Sequence, residues 1–160
     1  MKKLLSLLSL LIFLLAIDSC KKKEEANEAP AYLIFGHFYG MCVGEGCVEI
    51  YCLEETRLLE DQNDNYPGSQ NFYIADFAPL PNDNFLEVND LMNFFPDTLL
   101  LIDDKVIGQP DAGDWGGLYV EYNFKGVRKF WLIDKMESNV PEVLHPFIAE
   151  IENKIELINN

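Results

Sequence analysis

The sequence predicts a single α+β domain, an antiparallel sheet of five to seven strands with two helices packed on one face. Three observations carry this expectation. Strand-like apolar segments follow one another in runs, two further segments space their apolar residues at helical intervals, and no segment repeats. The 160 residues suffice for one domain, and a 49% apolar share with 12% aromatics excludes wholesale disorder.

The elements follow in order. Residues 31–39 are apolar on both faces, which reads as a central strand ended by Gly40. After the glycine-rich loop 40–46, Val48, Ile50 and Cys52 share one face and Glu49 and Tyr51 the other, giving a hairpin partner. Residues 57–61 read as a shorter third strand, 61–68 as a polar turn and 72–77 as a further strand. Phe85, Val88, Leu91, Met92 and Phe95 recur at helical spacing behind Asn84, with Glu87 as a capping-box partner and Pro96 as the stop. Residues 99–102 read as a buried strand. The clearest hairpin joins 118–124 to 127–133 through Lys125 and Gly126. Phe147, Ile148, Ile151, Ile155 and Ile158 form the stripe of a closing helix, with Pro146 as its first residue.

The first thirty residues read differently. Lys2 and Lys3 precede the apolar stretch 4–17, interrupted only by Ser6 and Ser9, and Asp18, Ser19 and Cys20 follow. This is the layout of a secretion signal. As a helix the stretch would rise roughly 21 Å, short of the ~30 Å hydrocarbon core a span must cross, so 1–19 is expected to be cleaved. Residues 20–30, three lysines followed by three glutamates among Ala, Asn and Pro, read as a flexible tether, and 31–160 as the globular body.

Ile17-Asp18-Ser19-Cys20 resembles the lipobox of bacterial lipoproteins, with Ile17 at the apolar position, Ser19 at the small one, and Asp18 where Ala or Ser is usual. The resemblance covers only these first twenty residues. It implies a diacylglyceryl thioether on Cys20, cleavage before it, acylation of the new amine, and passage through the lipoprotein-processing and sorting machinery. Two or three acyl chains then anchor the protein in a membrane. Lys21, in place of the aspartate that retains enterobacterial lipoproteins in the inner membrane, implies the outer membrane. The run of bases and then acids resembles the surface-export signal of Bacteroidota lipoproteins, which implies display on the cell surface.

The body carries the charge. Residues 31–160 hold 23 Asp and Glu against 7 Lys and Arg. Such a surface argues against nucleic acid as a partner and repels anionic headgroups.

Three cysteines remain after Cys20. Cys42 and Cys47 flank a glycine-rich loop that brings them within disulfide range, leaving Cys52 as a buried free thiol. His37, Cys42, Cys47 and Cys52 recur every five residues as a conceivable zinc set, but Cys47 and Cys52 on one strand point to opposite faces, and no metal is expected. Residues 61–65 open like a calcium loop, yet Tyr66 stands where glycine is needed and Phe72 where a bidentate glutamate is needed; a turn rich in Asn and Asp is the reading there and at 82–84.

The segment 108–117 is the most unusual, with four glycines, Asp111, Asp114 and Trp115. One reading is a long connection whose Trp folds back onto the core. The other is a ligand loop, in which carboxylates accept sugar hydroxyls or hold a cation and Trp115 stacks on a sugar ring. Hydrolase constellations are poorly supplied, since Ser69 and Ser138 lie in no nucleophile elbow and His37 and His145 are the only histidines. The expectation is a lipid-anchored, non-catalytic envelope protein that binds an envelope protein or glycan without a cofactor. The alternatives are a carbohydrate- or calcium-dependent module centred on 108–117, then an extracytoplasmic hydrolase.

Overall fold

The computed structural model describes residues 31–160; the expected signal peptide, Cys20 and the expected tether lie outside them. Seven strands form one sheet: β1 (Tyr32–Phe38), β2 (Val48–Glu54), β3 (Leu58–Asp61), β4 (Phe77–Pro79), β5 (Val106–Ile107), β6 (Gly117–Phe124) and β7 (Val127–Asp134), in the order β4-β3-β2-β1-β6-β7-β5. Two helices, α1 (Asn82–Val88) and α2 (His145–Ile158), complete the α+β domain.

The strand apolar on both faces is the middle one. Phe35 of β1 stands between Tyr51 of β2 and Val120 of β6 in antiparallel register. Gly36, its neighbour, admits no side chain: a Cβ there would lie 1.9 Å from the Glu49 carbonyl and 2.8 Å from the Ile50 Cα. A glycine inside a central strand marks such a close backbone approach.

Leu33, Phe35, Tyr51, Leu53, Leu118, Val120, Trp131 and Ile133 present one face to both helices. The 14-residue α2 would be marginal alone. Burial of Phe147, Ile148, Ile151 and Ile155, roughly 1.5–3 kcal/mol each, holds it on the sheet. Pro146 is its second residue, one position later than the sequence predicts and still in the first turn, where its missing N–H has no intrahelical partner to lose.

The second face is also covered. Ile34, Phe38, Val48, Ile50, Cys52, Leu59, Tyr119, Phe130 and Leu132 form a second core, capped by Phe72, Tyr73 and Phe77. Here lies Glu121, 0% exposed. It accepts hydrogen bonds from the hydroxyls of Tyr32 and Tyr119, each at 2.7 Å, and pairs with Arg128 at 2.8 Å. Arg128 in turn lies over the Phe72 ring, 3.9 Å from its centroid.

Several expectations are corrected. Residues 72–76 form no strand: the Tyr73 N–H donates to the Tyr119 hydroxyl and the Asp76 N–H to Asp61, so the segment lies across the sheet face and only Phe77–Pro79 joins the ladder. Residues 97–101 form a 3-10 turn in place of the predicted strand, because the carbonyls of Leu100 and Ile102 accept from Lys129 and Trp131 of β7. The predicted helix over 85–95 breaks. Asn84 does not cap it but lies inside α1 and donates to the Ile158 carbonyl, while Lys154 takes the Glu87 carbonyl and pairs with Asp90. A separate 3-10 turn, Leu91–Phe94, follows.

The sheet is antiparallel except at one edge, where β5 runs parallel to β7 with Ile107 opposite Ile133. That two-residue strand is too short for periodicity to reveal. Its direction has a consequence for the loops, because the chain leaves β5 beside the end of β7 and must cross that end to enter β6, whose Gly117 faces Asp134.

Removing the buried Glu121 tests the second core. Glu121→Ala takes the acceptor from the buried Tyr119 hydroxyl and unpairs the half-exposed Arg128, and is expected to lower unfolding free energy by about 1–3 kcal/mol. Glu121→Gln, which keeps the acceptor oxygen, is expected to cost less; denaturant titration of both variants ranks them.

Candidate functional site

The loop that crosses the end of β7 is held by two carboxylates. Asp134, 2% exposed, accepts from the Gln109 N–H at 2.8 Å, the Met136 N–H at 2.9 Å and the Asn139 amide at 2.7 Å. Burial alone would raise its pKa, but these bonds outweigh burial and hold it below the usual carboxylate range. Asp111 accepts from the Gly40 N–H and the Tyr66 hydroxyl, each at 2.8 Å, and from the Gly116 N–H at 3.2 Å. The first clamp ties the loop to the end of β7; the second ties it to the loop after β1.

Between the clamps the backbone is unusual. Asp111, Gly113, Asp114 and Gly116 all have positive φ, between 62° and 76°. Asp tolerates this left-handed region better than most residues, at a cost of roughly 1 kcal/mol each. Gly116 is required, since a Cβ there would lie 2.3 Å from the Tyr39 ring.

This backbone turns Trp115 outward. Its side chain does not fold back onto the core: the residue is 66% exposed, against 1% for Trp131. Trp115 and Asp114 line a groove of about 500 Å³ with Tyr39, Lys135, Met136 and Glu152. Each wall comes from a different element, Tyr39 from beyond β1, Lys135 and Met136 from beyond β7, and Glu152 from α2.

Lys135 is already engaged. Its ammonium donates to the Tyr39 hydroxyl at 2.5 Å and pairs with Glu152 at 3.1 Å. Burial pulls its pKa down, but these two partners reverse the shift and keep it charged. Among the described residues, no side chain donates to the carboxylate of Asp114.

The three loop candidates therefore separate. Asp114 and Trp115 face the groove; Asp111 faces away, its oxygens occupied by the fold. His37 packs beneath, its ring 5.1 Å from that of Tyr39 and its Nε2 3.2 Å from Glu49. Burial depresses its pKa more than Glu49 raises it, so it stands neutral at pH 7. Tyr39, Lys135 and Glu152 were not singled out in the sequence; the one available signal was Tyr39 at the end of the central strand.

The remaining sequence candidates resolve by geometry. Cys42 and Cys47 are joined by a disulfide with their Cα atoms 5.5 Å apart, and Cys52 is a buried free thiol whose pKa burial pushes up to about 12. Asp61 gives both oxygens to the 72–76 strap, one to the Tyr73 hydroxyl and one to the Asp76 N–H, each at 2.6 Å. A second, polar groove gathers Glu45, Glu49, Glu60, Asp61 and Asp64. There burial and mutual repulsion raise the pKa values of Glu60 and Asp64. Among the described residues no three His, Cys, Asp or Glu side chains are placed to hold a metal ion.

The clamps make two predictions. Asp111→Ala is expected to lower stability by about 1–3 kcal/mol, through three lost acceptor contacts, and to speed hydrogen exchange at the Gly40 and Gly116 amides. Because the folded-state pKa of Asp134 is depressed, its contribution is present above the unfolded value of about 3.9 and is lost as pH falls through the folded one. The stability gap between the native chain and Asp134→Asn should accordingly be full above the unfolded-state value and narrow as pH falls through the lower folded-state one, as thermal melts across pH will register. Comparison with known proteins finds no matching family model and no matching curated relative.

Proposed function

We propose that this chain is a lipid-anchored, non-catalytic binding protein of the bacterial cell envelope, held in the outer membrane through Cys20, with its ligand seat in the groove of Tyr39, Asp114, Trp115, Lys135, Met136 and Glu152. The observation that carries the reading is Trp115, a largely exposed indole on a loop whose two ends are clamped by buried or half-buried carboxylates. An exposed aromatic side chain on a fixed backbone is a preorganised contact surface. Binding is favoured over turnover because Lys135 and Glu152 neutralise one another and Asp111 is spent on the fold.

The direction of β1 supports the arrangement. The strand begins beside Ala31, where the tether would join, and ends beside Tyr39 at the groove. Seven residues at about 3.3 Å each separate the two ends by roughly 20 Å. A body leashed at one end of its sheet carries the groove at the other, clear of its point of attachment.

A carbohydrate-binding reading of the same groove rests on the same indole, whose face suits a sugar ring.

Two measurements test the proposal. Mass spectrometry of the protein from envelope fractions should find a chain starting at acylated Cys20, and Cys20→Ser should move it to the soluble fraction; an intact Met1 on an unacylated chain overturns the anchor. Acrylamide should quench Trp115 in the purified chain and quench it less once envelope extract is added, whereas equal quenching with and without extract removes the ligand seat.

A further inference from the structure

Resting on that ligand seat, we infer that the groove receives a cationic side chain, guanidinium or ammonium, from a basic segment of a partner protein, stacked on Trp115 and paired with Asp114. The argument is one of charge and open valence. The groove holds two carboxylates and one ammonium, and the ammonium is bound to Glu152 and the Tyr39 hydroxyl. The unspent hydrogen-bonding capacity is therefore acceptor capacity on Asp114, next to an exposed indole face. A cation placed between an indole and a carboxylate gains from both, the ring quadrupole and the opposite charge.

The surroundings reinforce this polarity. The body's seven bases are already committed: Arg57, Arg128, Lys129, Lys135 and Lys154 are each paired with a carboxylate, while Lys105 and Lys125 lie over Phe130 and Phe124. The unneutralised acids set a negative field over the whole surface, which steers a basic partner inward and turns an anionic one away.

The partner is a polypeptide because apolar contact area extends beyond the groove. Met41, just before the disulfide, and Val43, inside the loop it closes, are exposed, the Gly40 to Asp111 bond ties this segment to the Trp115 loop, and Met136 is exposed in the groove. Flexible methionines beside an aromatic anchor accommodate the aliphatic parts of an amphipathic segment. An acidic field around an apolar rim matches basic residues interspersed with leucine or valine.

The test uses the full chain labelled with 5-fluorotryptophan, whose two fluorine signals report Trp115 and the buried Trp131 separately. The probes are capped peptides, Ala-Arg-Leu-Arg-Ala and its Glu-for-Arg counterpart, and the neutral sugar cellotetraose. The arginine peptide is expected to shift the Trp115 signal saturably, with affinity falling several-fold as salt is raised, and the glutamate peptide to leave it unmoved. Asp114→Asn should weaken the arginine peptide about 5- to 10-fold with the Trp131 signal unchanged, which shows the variant folded. Glu60→Gln, in the separate acidic groove, should change affinity less than about two-fold, within what screened surface charge allows. An arginine peptide that leaves Trp115 unmoved overturns the inference, as does equal weakening by Glu60→Gln and Asp114→Asn. If cellotetraose alone shifts Trp115, the cationic occupant is wrong while the ligand seat stands.

Discussion

Buried backbone and hydroxyl donors must find acceptors, and in this chain carboxylates supply them at the places where regular structure ends. A sheet covered on both faces leaves its connecting segments partly shielded from water, where an unpaired N–H costs about twice what a formed bond gains. Asp61 receives the strap over the second face, Glu121 the hydroxyls beneath it, Asp134 the turn after β7, and Asp111 the meeting of two loops. Each clamp accepts two or more bonds, so each fixes a backbone direction as well as a contact. The acidity of the sequence thus has two physical meanings, a solvated skin and an internal set of acceptors.

That division explains what was legible beforehand. The apolar pattern revealed β1, β2, β6 and β7 because both of their faces are packed, and it revealed α2 through a stripe facing one core. It failed where side chains replaced the ladder as backbone partners. Leu99, Leu100, Leu101 and Ile102 look like a strand, yet lysine and tryptophan from β7 occupy the carbonyls a neighbouring strand would need. Residues 72–76 look like a strand for the same reason and instead hang from Tyr119 and Asp61. One clue to the second core stood in the open: Tyr119, Glu121 and Asn123 alternate along a central strand, and a polar face at the centre of a sheet must be covered by partners.

Of the candidate site, Asp114 and Trp115 were legible as members of an unusual loop, while their neighbours were not. Tyr39 lies 96 positions from Lys135, and the two meet Glu152 only because β1 and β7 end at the same edge of the sheet, where Lys135 pairs with the middle of α2. Asp111 was indistinguishable from Asp114 in the sequence, being three residues away with the same side chain. Backbone direction separates them. The run of positive-φ residues turns Asp111 toward Gly40 and Tyr66 and leaves Asp114 facing the groove.

The parallel edge strand gives the loop its position. Had β5 run antiparallel to β7, the chain would have left it at the opposite end of the sheet and needed a connection running the length of β7 to reach Gly117. With β5 parallel, the exit lies next to Asp134, the loop crosses the end of β7, and its two ends fall on clamps already fixed by the sheet. Two left-handed aspartates and a solvent-exposed indole oppose folding, each at a small cost. A connection needing only to span β5 and β6 has no use for either, since glycines alone would make the turn. The fold sustains these costs together in one loop, at the end of β1 opposite Ala31, and there Asp134 and Asp111 hold the backbone. A fixed backbone beneath an exposed aromatic ring and an unpaired carboxylate is what a contact surface requires, and it is why the reading of this protein centres on that edge.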